Sequence, residues 1–148
     1  MGAPTTTVNV LAILPAAEDR TSLQRILEQP TWNLRAVEAL TLARPMIDEL
    51  PAGVVITDSQ LPDGCWQDVV LELRRQRLEP MLIVASRLAD ESLWAEVLNL
   101  GGYDVLATPL RATEVIRSLT LAGQQWQEKL ASLPVNVMSA GQTWPGVS

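Results

Sequence analysis

A carboxylate at the end of a buried strand is the side chain in this sequence best placed for chemistry. Residues 54–57 (VVIT) form a β-branched run typical of a strand inside a parallel sheet, and Asp58 follows directly. The tetrapeptide Leu61-Pro62-Asp63-Gly64 then supplies turn-forming residues. Open α/β sheets bind ligands and place their chemistry at the carboxyl ends of strands, so Asp58 is the first candidate site residue.

The other residue types exclude several kinds of active site. The 148-residue sequence contains no histidine, which excludes a Ser-His-Asp triad, a Cys-His pair, a histidine metal site and a phosphohistidine. Its single cysteine, Cys65, cannot form an internal disulfide, and no cation stands beside it to favour the thiolate. We interpret Cys65 as a small turn residue and predict that the protein is not an enzyme.

Charge and hydropathy argue against nucleic acid and membranes as partners. The net charge is −6, and the one basic run, Arg74, Arg75 and Arg77, is interpreted as the solvated face of a helix. No apolar stretch approaches the roughly 18 residues of a membrane span, so we expect a cytoplasmic protein. The first six residues loosely fit a myristoylation pattern, but a disordered start is the favoured interpretation.

The elements that must position Asp58 are predicted to alternate between strands and helices. Strands are expected at residues 8–14, 32–37, 54–57, 81–84 and 105–107. Amphipathic helices are expected between Glu18 and Pro30, from Thr41 as N-cap to Leu50, between Trp66 and Pro80, from Asp90 as N-cap to Leu100, and from about Arg111. Such alternation predicts an α/β fold with a five-stranded, doubly wound parallel sheet.

One domain is expected, at residues 8–129. Residues 1–7 are predicted to be a disordered start. Residues 130–148 are predicted to be a tail because their prolines, glycines and isolated Trp144 show no periodicity.

Together these features resemble the receiver domain of bacterial two-component response regulators. The resemblance spans residues 8–129 and rests on Asp58, Pro62 and Gly64 after the third strand, on Ala85-Ser86-Arg87, and on the glycine-containing loop before the fifth strand. It implies a flavodoxin-like fold with strand order 2-1-3-4-5. It also implies a role in phosphorelay signal transduction, in which Asp58 holds the phospho-acceptor position.

The resemblance further implies that the phosphorylation machinery is degenerate. Receivers use three acidic side chains to hold Mg²⁺, and a lysine and a hydroxyl to contact the phosphoryl oxygens. In this sequence the acidic pair corresponds to Leu14 and Pro15, the hydroxyl to Ala85, the lysine to Thr108 and the aromatic switch residue to Val105. Each lost electrostatic element is worth about 2 to 4 kcal/mol in a transition state, so we expect little or no phosphorylation and no Mg²⁺.

Several alternatives remain open at this point. A one-residue slip of the fourth strand would make Ser86 the hydroxyl substitute. Glu18 and Asp19 are the carboxylates that would replace the lost pair, although a first helical turn favours a macrodipole role for them. Asp58 itself is either a residual phospho-acceptor, with an atypical Mg²⁺ site, or a solvated strand-end residue that caps the following turn.

The expected partners are proteins. In receivers the fourth helix, fifth strand and fifth helix form the usual docking and dimerisation face, and a histidine kinase or another signalling protein would bind there. Trp94 on the fourth helix either belongs to this face or packs on its own sheet. We therefore interpret the chain as a single-domain pseudo-receiver; a flavodoxin-like small-molecule binder is the weaker alternative, because no glycine-rich loop follows the first strand.

Overall fold

The main sheet has five parallel strands in the order predicted from the sequence. The computed structural model describes residues 7–49 and 52–133 of the chain. The strands are β1 (Val8–Ile13), β2 (Trp32–Val37), β3 (Val54–Asp58), β4 (Met81–Ser86) and β5 (Asp104–Ala107). They are ordered β2-β1-β3-β4-β5, which confirms the doubly wound, flavodoxin-like α/β fold.

Within the described ranges, five helices connect or follow these strands. They are α1 (Ala17–Ile26), α2 (Leu40–Glu49), α3 (Trp66–Arg74), α4 (Glu91–Asn99) and α5 (Ala112–Ala131). Because each βα unit returns to the same sheet edge, the carboxyl ends of the strands all lie next to the loops that precede the helices. None of the helices in the described ranges is long and apolar enough to cross a membrane. Most of the predicted start and tail, at 1–6 and 134–148, lies outside the described residues.

Two hydrophobic cores lie on opposite faces of the sheet. On β3, Val54 and Ile56 pack toward α1 and α5, whereas Val55 packs toward α2, α3 and α4. All three side chains are fully buried, and each contributes about 1.5 to 3 kcal/mol of hydrophobic stabilisation. Side chains alternate along a strand, so Asp58 shares the face of Val54 and Ile56.

The N-terminus of α2 differs from the prediction. Thr41 was expected to cap this helix, but the helix begins at Leu40, and the preceding Ala39 has no side-chain acceptor. Asp63, in the loop after β3, fills the role: its Oδ1 accepts from Leu40 N at 3.0 Å and its Oδ2 from Thr41 N at 2.8 Å. The Thr41 hydroxyl also donates to Asp63 Oδ2. The predicted turn after Asp58 is thereby attached to α2.

Pro45 also lies further inside α2 than expected. The sequence placed it in or near the first turn, where its missing N–H costs little. With the helix starting at Leu40, it falls within the helix, where a helical N–H···O bond is lost. The hydrogen bonds that Leu40 N and Thr41 N donate to Asp63 satisfy backbone groups at the N-terminus of the same helix.

A two-residue hairpin links β3 to α3. Gln60–Leu61 pairs antiparallel with Gly64–Cys65 around the predicted turn. Cys65 is the N-cap of α3, where its backbone N–H donates to Asp68 Oδ2 at 3.0 Å. This capping box fixes the start of α3 close to Asp58.

Candidate functional site at the carboxyl edge of the sheet

Asp58 lies at the carboxyl edge of the sheet between apolar neighbours. Its registered partner on β4 is Ala85, and on the other side β1 pairs Ile13 with Thr57. The next residue of that chain segment is Leu14, which therefore comes alongside Asp58. Leu14 and Ala85 are both fully buried. Leu14 replaces the predicted acid and Ala85 the predicted hydroxyl, so hydrocarbon side chains lie on both sides of Asp58.

The Asp58 carboxylate caps the turn that follows it. It is half-buried, and its Oδ1 accepts a hydrogen bond from Gln60 N at 3.0 Å. This bond across two residues is an Asx-type turn. It matches one of the two interpretations of Asp58 that the sequence left open, and it leaves Oδ2 without a hydrogen bond from any described residue.

Asp19 is the carboxylate that α1 brings toward Asp58. The sequence placed Glu18 and Asp19 together in the first turn of this helix, but they behave differently: Glu18 is exposed, whereas Asp19 is buried. Burial is the main cause that raises the pKa of Asp19, followed by the negative charges of Asp58 and Glu18, while Arg87 acts in the opposite direction. Asp19 and Asp58 are therefore electrostatic neighbours.

Thr108 closes the other side of this region. It follows β5, and its backbone N–H donates to Ser86 O at 3.1 Å. Its side chain is buried, and the Oγ1 atom has no hydrogen-bond partner among the residues that the structure describes. A cleft of about 400 Å³ lies here, lined by Glu18, Asp19, Ser22, Arg87, Thr108 and Pro109.

Ser86 is engaged on the opposite face of the sheet. It follows Ala85 on β4, so alternation directs it to the side of α2, α3 and α4. Its buried Oγ accepts from Ser59 Oγ at 3.0 Å and from Leu88 N at 3.1 Å. These bonds hold the loop after β4 against the loop after β3.

The guanidinium of Arg20, on α1, contacts the loop that contains Leu14 and Pro15. Arg20 Nη1 donates to Leu14 O at 2.7 Å and to Pro15 O at 2.9 Å, and its Nη2 lies 3.7 Å from Glu38 Oε2. The guanidinium thus ties the loop after β1 to the loop after β2. The sequence did not predict this contact, because a polar residue on an amphipathic helix is normally expected to face solvent.

The donor set does not fit Mg²⁺ well. Of the three carboxylates that a receiver metal site needs, Asp58 is present, and Leu14 and Pro15 offer only carbonyls that already accept from Arg20. In the described part of the chain, no group of three or more His, Cys, Asp and Glu residues could hold a metal ion.

The expected docking face carries exposed apolar side chains. Trp94 is 50% exposed on α4, and Leu98, one turn later, is 36% exposed. Val105 on β5 pairs with Val84 and packs, partly buried, against the core on the α4 side. Trp94 is thus only half covered by the sheet and helices of its own chain.

Two curated relatives share about a quarter of their aligned residues with this chain. No family model matches the sequence. The photosynthetic apparatus regulatory protein RegA of Cereibacter sphaeroides is 26% identical over 132 residues, covering 87% of this chain and 70% of RegA. The RegA of Rhodovulum sulfidophilum is 26% identical over 118 residues, covering 80% of this chain and 62% of that protein. Both relatives are therefore longer than this chain.

Solved receiver domains match the fold along nearly their whole length. A signal receiver domain from Vibrio parahaemolyticus superposes with a TM-score of 0.79 at 19% identity, covering 86% of this chain and 99% of that one. The receiver domain of an HD domain-containing protein from Pseudomonas fluorescens gives 0.78 at 20% identity, covering 90% and 98%. The chemotaxis response regulator CheY4 of Vibrio cholerae gives 0.71 at 16% identity, covering 79% and 99%. This chain therefore has the fold of response-regulator receiver domains, as the sequence resemblance predicted.

Proposed function

We propose that this chain is a pseudo-receiver: a signalling module of a two-component pathway that acts through protein contacts, with little or no Mg²⁺-dependent phosphorylation of Asp58. The observation that supports this most strongly is the pair of fully buried apolar side chains, Leu14 and Ala85, beside Asp58. A phosphoryl group on Asp58 would meet hydrocarbon at the positions where charge must be neutralised.

The remaining contacts point the same way. Ser86, the alternative hydroxyl, already accepts two hydrogen bonds on the other face of the sheet. Thr108 offers an uncharged hydroxyl where a lysine would supply a fixed cation. The loss of two carboxylates and a cation, at about 2 to 4 kcal/mol each, would slow phosphoryl transfer by several orders of magnitude.

The proposed working surface consists of α4, β5 and α5. Half-exposed Trp94 and partly exposed Leu98 give it an apolar centre, which suits a histidine kinase, another signalling protein or a second copy of the chain. In this proposal the protein is cytoplasmic and bacterial, it is not an enzyme, and it transmits a signal by binding.

A second candidate function rests on Asp19. Its buried carboxylate is an electrostatic neighbour of Asp58, so the two acids together would form an atypical metal site for a working phospho-acceptor. This differs from the expected receiver arrangement, because Asp19 comes from α1 and not from the end of β1.

A Mg²⁺ titration separates the two candidates. Backbone amide NMR shifts of wild type, Asp58→Asn and Asp19→Asn would be followed from micromolar to millimolar Mg²⁺. The pseudo-receiver proposal predicts no saturating shift in the loops after β1 and β3. A saturating shift in wild type that both substitutions abolish would establish the atypical site and overturn the proposal.

A further inference from the structure

The loop after Asp58 contains the only Asp-Gly pair of the sequence, Asp63-Gly64. In such a pair the backbone nitrogen of the glycine can attack the carboxyl carbon of the aspartate, because glycine has no side chain to hinder the approach. The attack expels water and gives a cyclic succinimide, which water opens to aspartate or isoaspartate. Asp63 is exposed, so its carboxyl group is accessible to solvent.

Packing at the start of α3 explains why residue 64 is a glycine. A β-carbon on Gly64 would lie 2.8 Å from Asp68 Oδ2. That oxygen accepts a hydrogen bond from Cys65 N at 3.0 Å in the capping box of α3, so moving it would break the cap. A larger residue would shield the peptide nitrogen from attack, but the capping box disfavours one. The fold therefore retains a reactive dipeptide close to Asp58.

Hydrogen bonds from α2 restrain the Asp63 carboxylate. Oδ1 accepts from Leu40 N at 3.0 Å, Oδ2 accepts from Thr41 N at 2.8 Å, and the Thr41 hydroxyl also donates to Oδ2. Attack by Gly64 N requires the side chain to rotate, and these bonds restrict its rotation. The bonds from Thr41 also lower the pKa of Asp63 to about 2, so little of the neutral acid, from which water departs, is present at neutral pH.

We propose that Asp63 is a latent isomerisation site that its hydrogen bonds to α2 keep unreactive. When these bonds open, Gly64 N forms a bond to Asp63 Cγ, and the amide proton leaves with the hydroxyl of the protonated carboxyl group as water. Water then adds to the main-chain carbonyl carbon of Asp63, the bond from that carbon to Gly64 N breaks, and the main chain continues through Cγ. The inference goes beyond the proposed function and does not depend on it.

Isomerisation would remove the acceptor at the N-terminus of α2. Isoaspartate carries its carboxylate directly on Cα, so the oxygens no longer lie where Leu40 N and Thr41 N donate. Ala39, which precedes the helix, has no side-chain acceptor to replace them. The additional main-chain atom also lengthens the turn of the hairpin that follows Asp58. The modification would therefore destabilise α2 and the loop after β3 together.

Prolonged incubation of the full chain at neutral pH tests the inference. Peptide mapping with electron-transfer fragmentation identifies isoaspartate and its position. The folded chain is compared with the same chain unfolded in guanidinium chloride, where the bonds to α2 are absent. We expect isoaspartate at Asp63 to form at least about tenfold more slowly in the folded chain, because release of a hydrogen-bonded carboxylate must come first. Equal rates, or no isoaspartate at Asp63 in the unfolded chain, would overturn the proposal.

Three substitutions in the folded chain complete the test. Thr41→Val should speed isomerisation about threefold to tenfold, because it removes one hydrogen bond to the carboxylate. Thr113→Val is the matched control, since Thr113 is likewise the exposed second residue of a helix, in this case α5.

Ser118→Ala separates local opening from global unfolding. It removes a hydrogen bond to Asp104, which lowers overall stability but leaves the bonds between Asp63 and α2 in place. Both Thr113→Val and Ser118→Ala should isomerise at the rate of wild type. The proposal is overturned if Thr41→Val isomerises like wild type, or if either of the other variants speeds the reaction as much as Thr41→Val.

Discussion

Replacing Leu14 by a carboxylate should destabilise the protein strongly. The side chain is fully buried in the core between the sheet, α1 and α5, and truncation of such a leucine costs about 2 to 5 kcal/mol. Leu14→Asn should lose at least this much, since it also buries an amide. Leu14→Asp should lose more, because its charge would lie near the carboxylates of Asp58 and Asp19.

The comparison of the two variants isolates the charge. A loss of about 3 kcal/mol corresponds to a fall in Tm of roughly 10 °C or more for a domain of this size. Urea unfolding at neutral pH would give the free energies, and the excess cost of Leu14→Asp over Leu14→Asn should shrink at a pH where the carboxylates are protonated. Equal stability of both variants at neutral pH would refute the placement of Leu14 beside an acidic group, and a variant as stable as wild type would refute the burial of Leu14.

Three further substitutions test other contacts. Asp19→Asn should raise the free energy of unfolding at neutral pH, because the raised pKa of Asp19 means that its negative charge destabilises the fold. Urea unfolding would measure this gain in stability. The gain should vanish as the pH falls through the raised pKa of Asp19 toward the ordinary value, since the side chain is then uncharged in wild type as well. Asp63→Ala should lower the free energy of unfolding at neutral pH. Hydrogen bonds from Thr41 lower the pKa of Asp63 from 3.8 to about 2, so the difference from wild type should disappear as the pH falls between these two values. A loss of stability that does not change with pH would contradict the cap. Ser118→Ala should cost about 1 kcal/mol in thermal unfolding, since the buried Ser118 hydroxyl donates to Asp104 Oδ2 at 2.7 Å, and an unchanged Tm would contradict that bond.

The strand pattern carried most of the fold information in the sequence. β-branched runs such as 54–57 and 81–84 occur at regular distances from amphipathic segments, so the alternation and the parallel sheet followed from local composition. The position of Asp58 at the end of β3 followed for the same reason. Hydrophobic periodicity predicts these features well, because they depend on residues that are close together in the sequence.

The features that the sequence did not reveal depend on contacts between distant segments. Asp63 caps α2 from more than twenty residues away, which no local capping pattern shows. Burial of Asp19 and its electrostatic interaction with Asp58 depend on where the fold places α1, and a helical first turn is equally consistent with an exposed acid. The bonds of Arg20 to the loop after β1 likewise need the loop conformation itself.

In the proposed function, Asp58 lies in a receiver fold without the groups that make it an efficient phospho-acceptor. Intact mass of the unaltered chain, after incubation with a small phosphodonor with and without Mg²⁺, tests this most directly, and Asp58→Asn is the control. We predict no Mg²⁺-dependent gain in mass. A stable gain of one phosphoryl group that requires Mg²⁺ and is absent from Asp58→Asn would contradict the pseudo-receiver function.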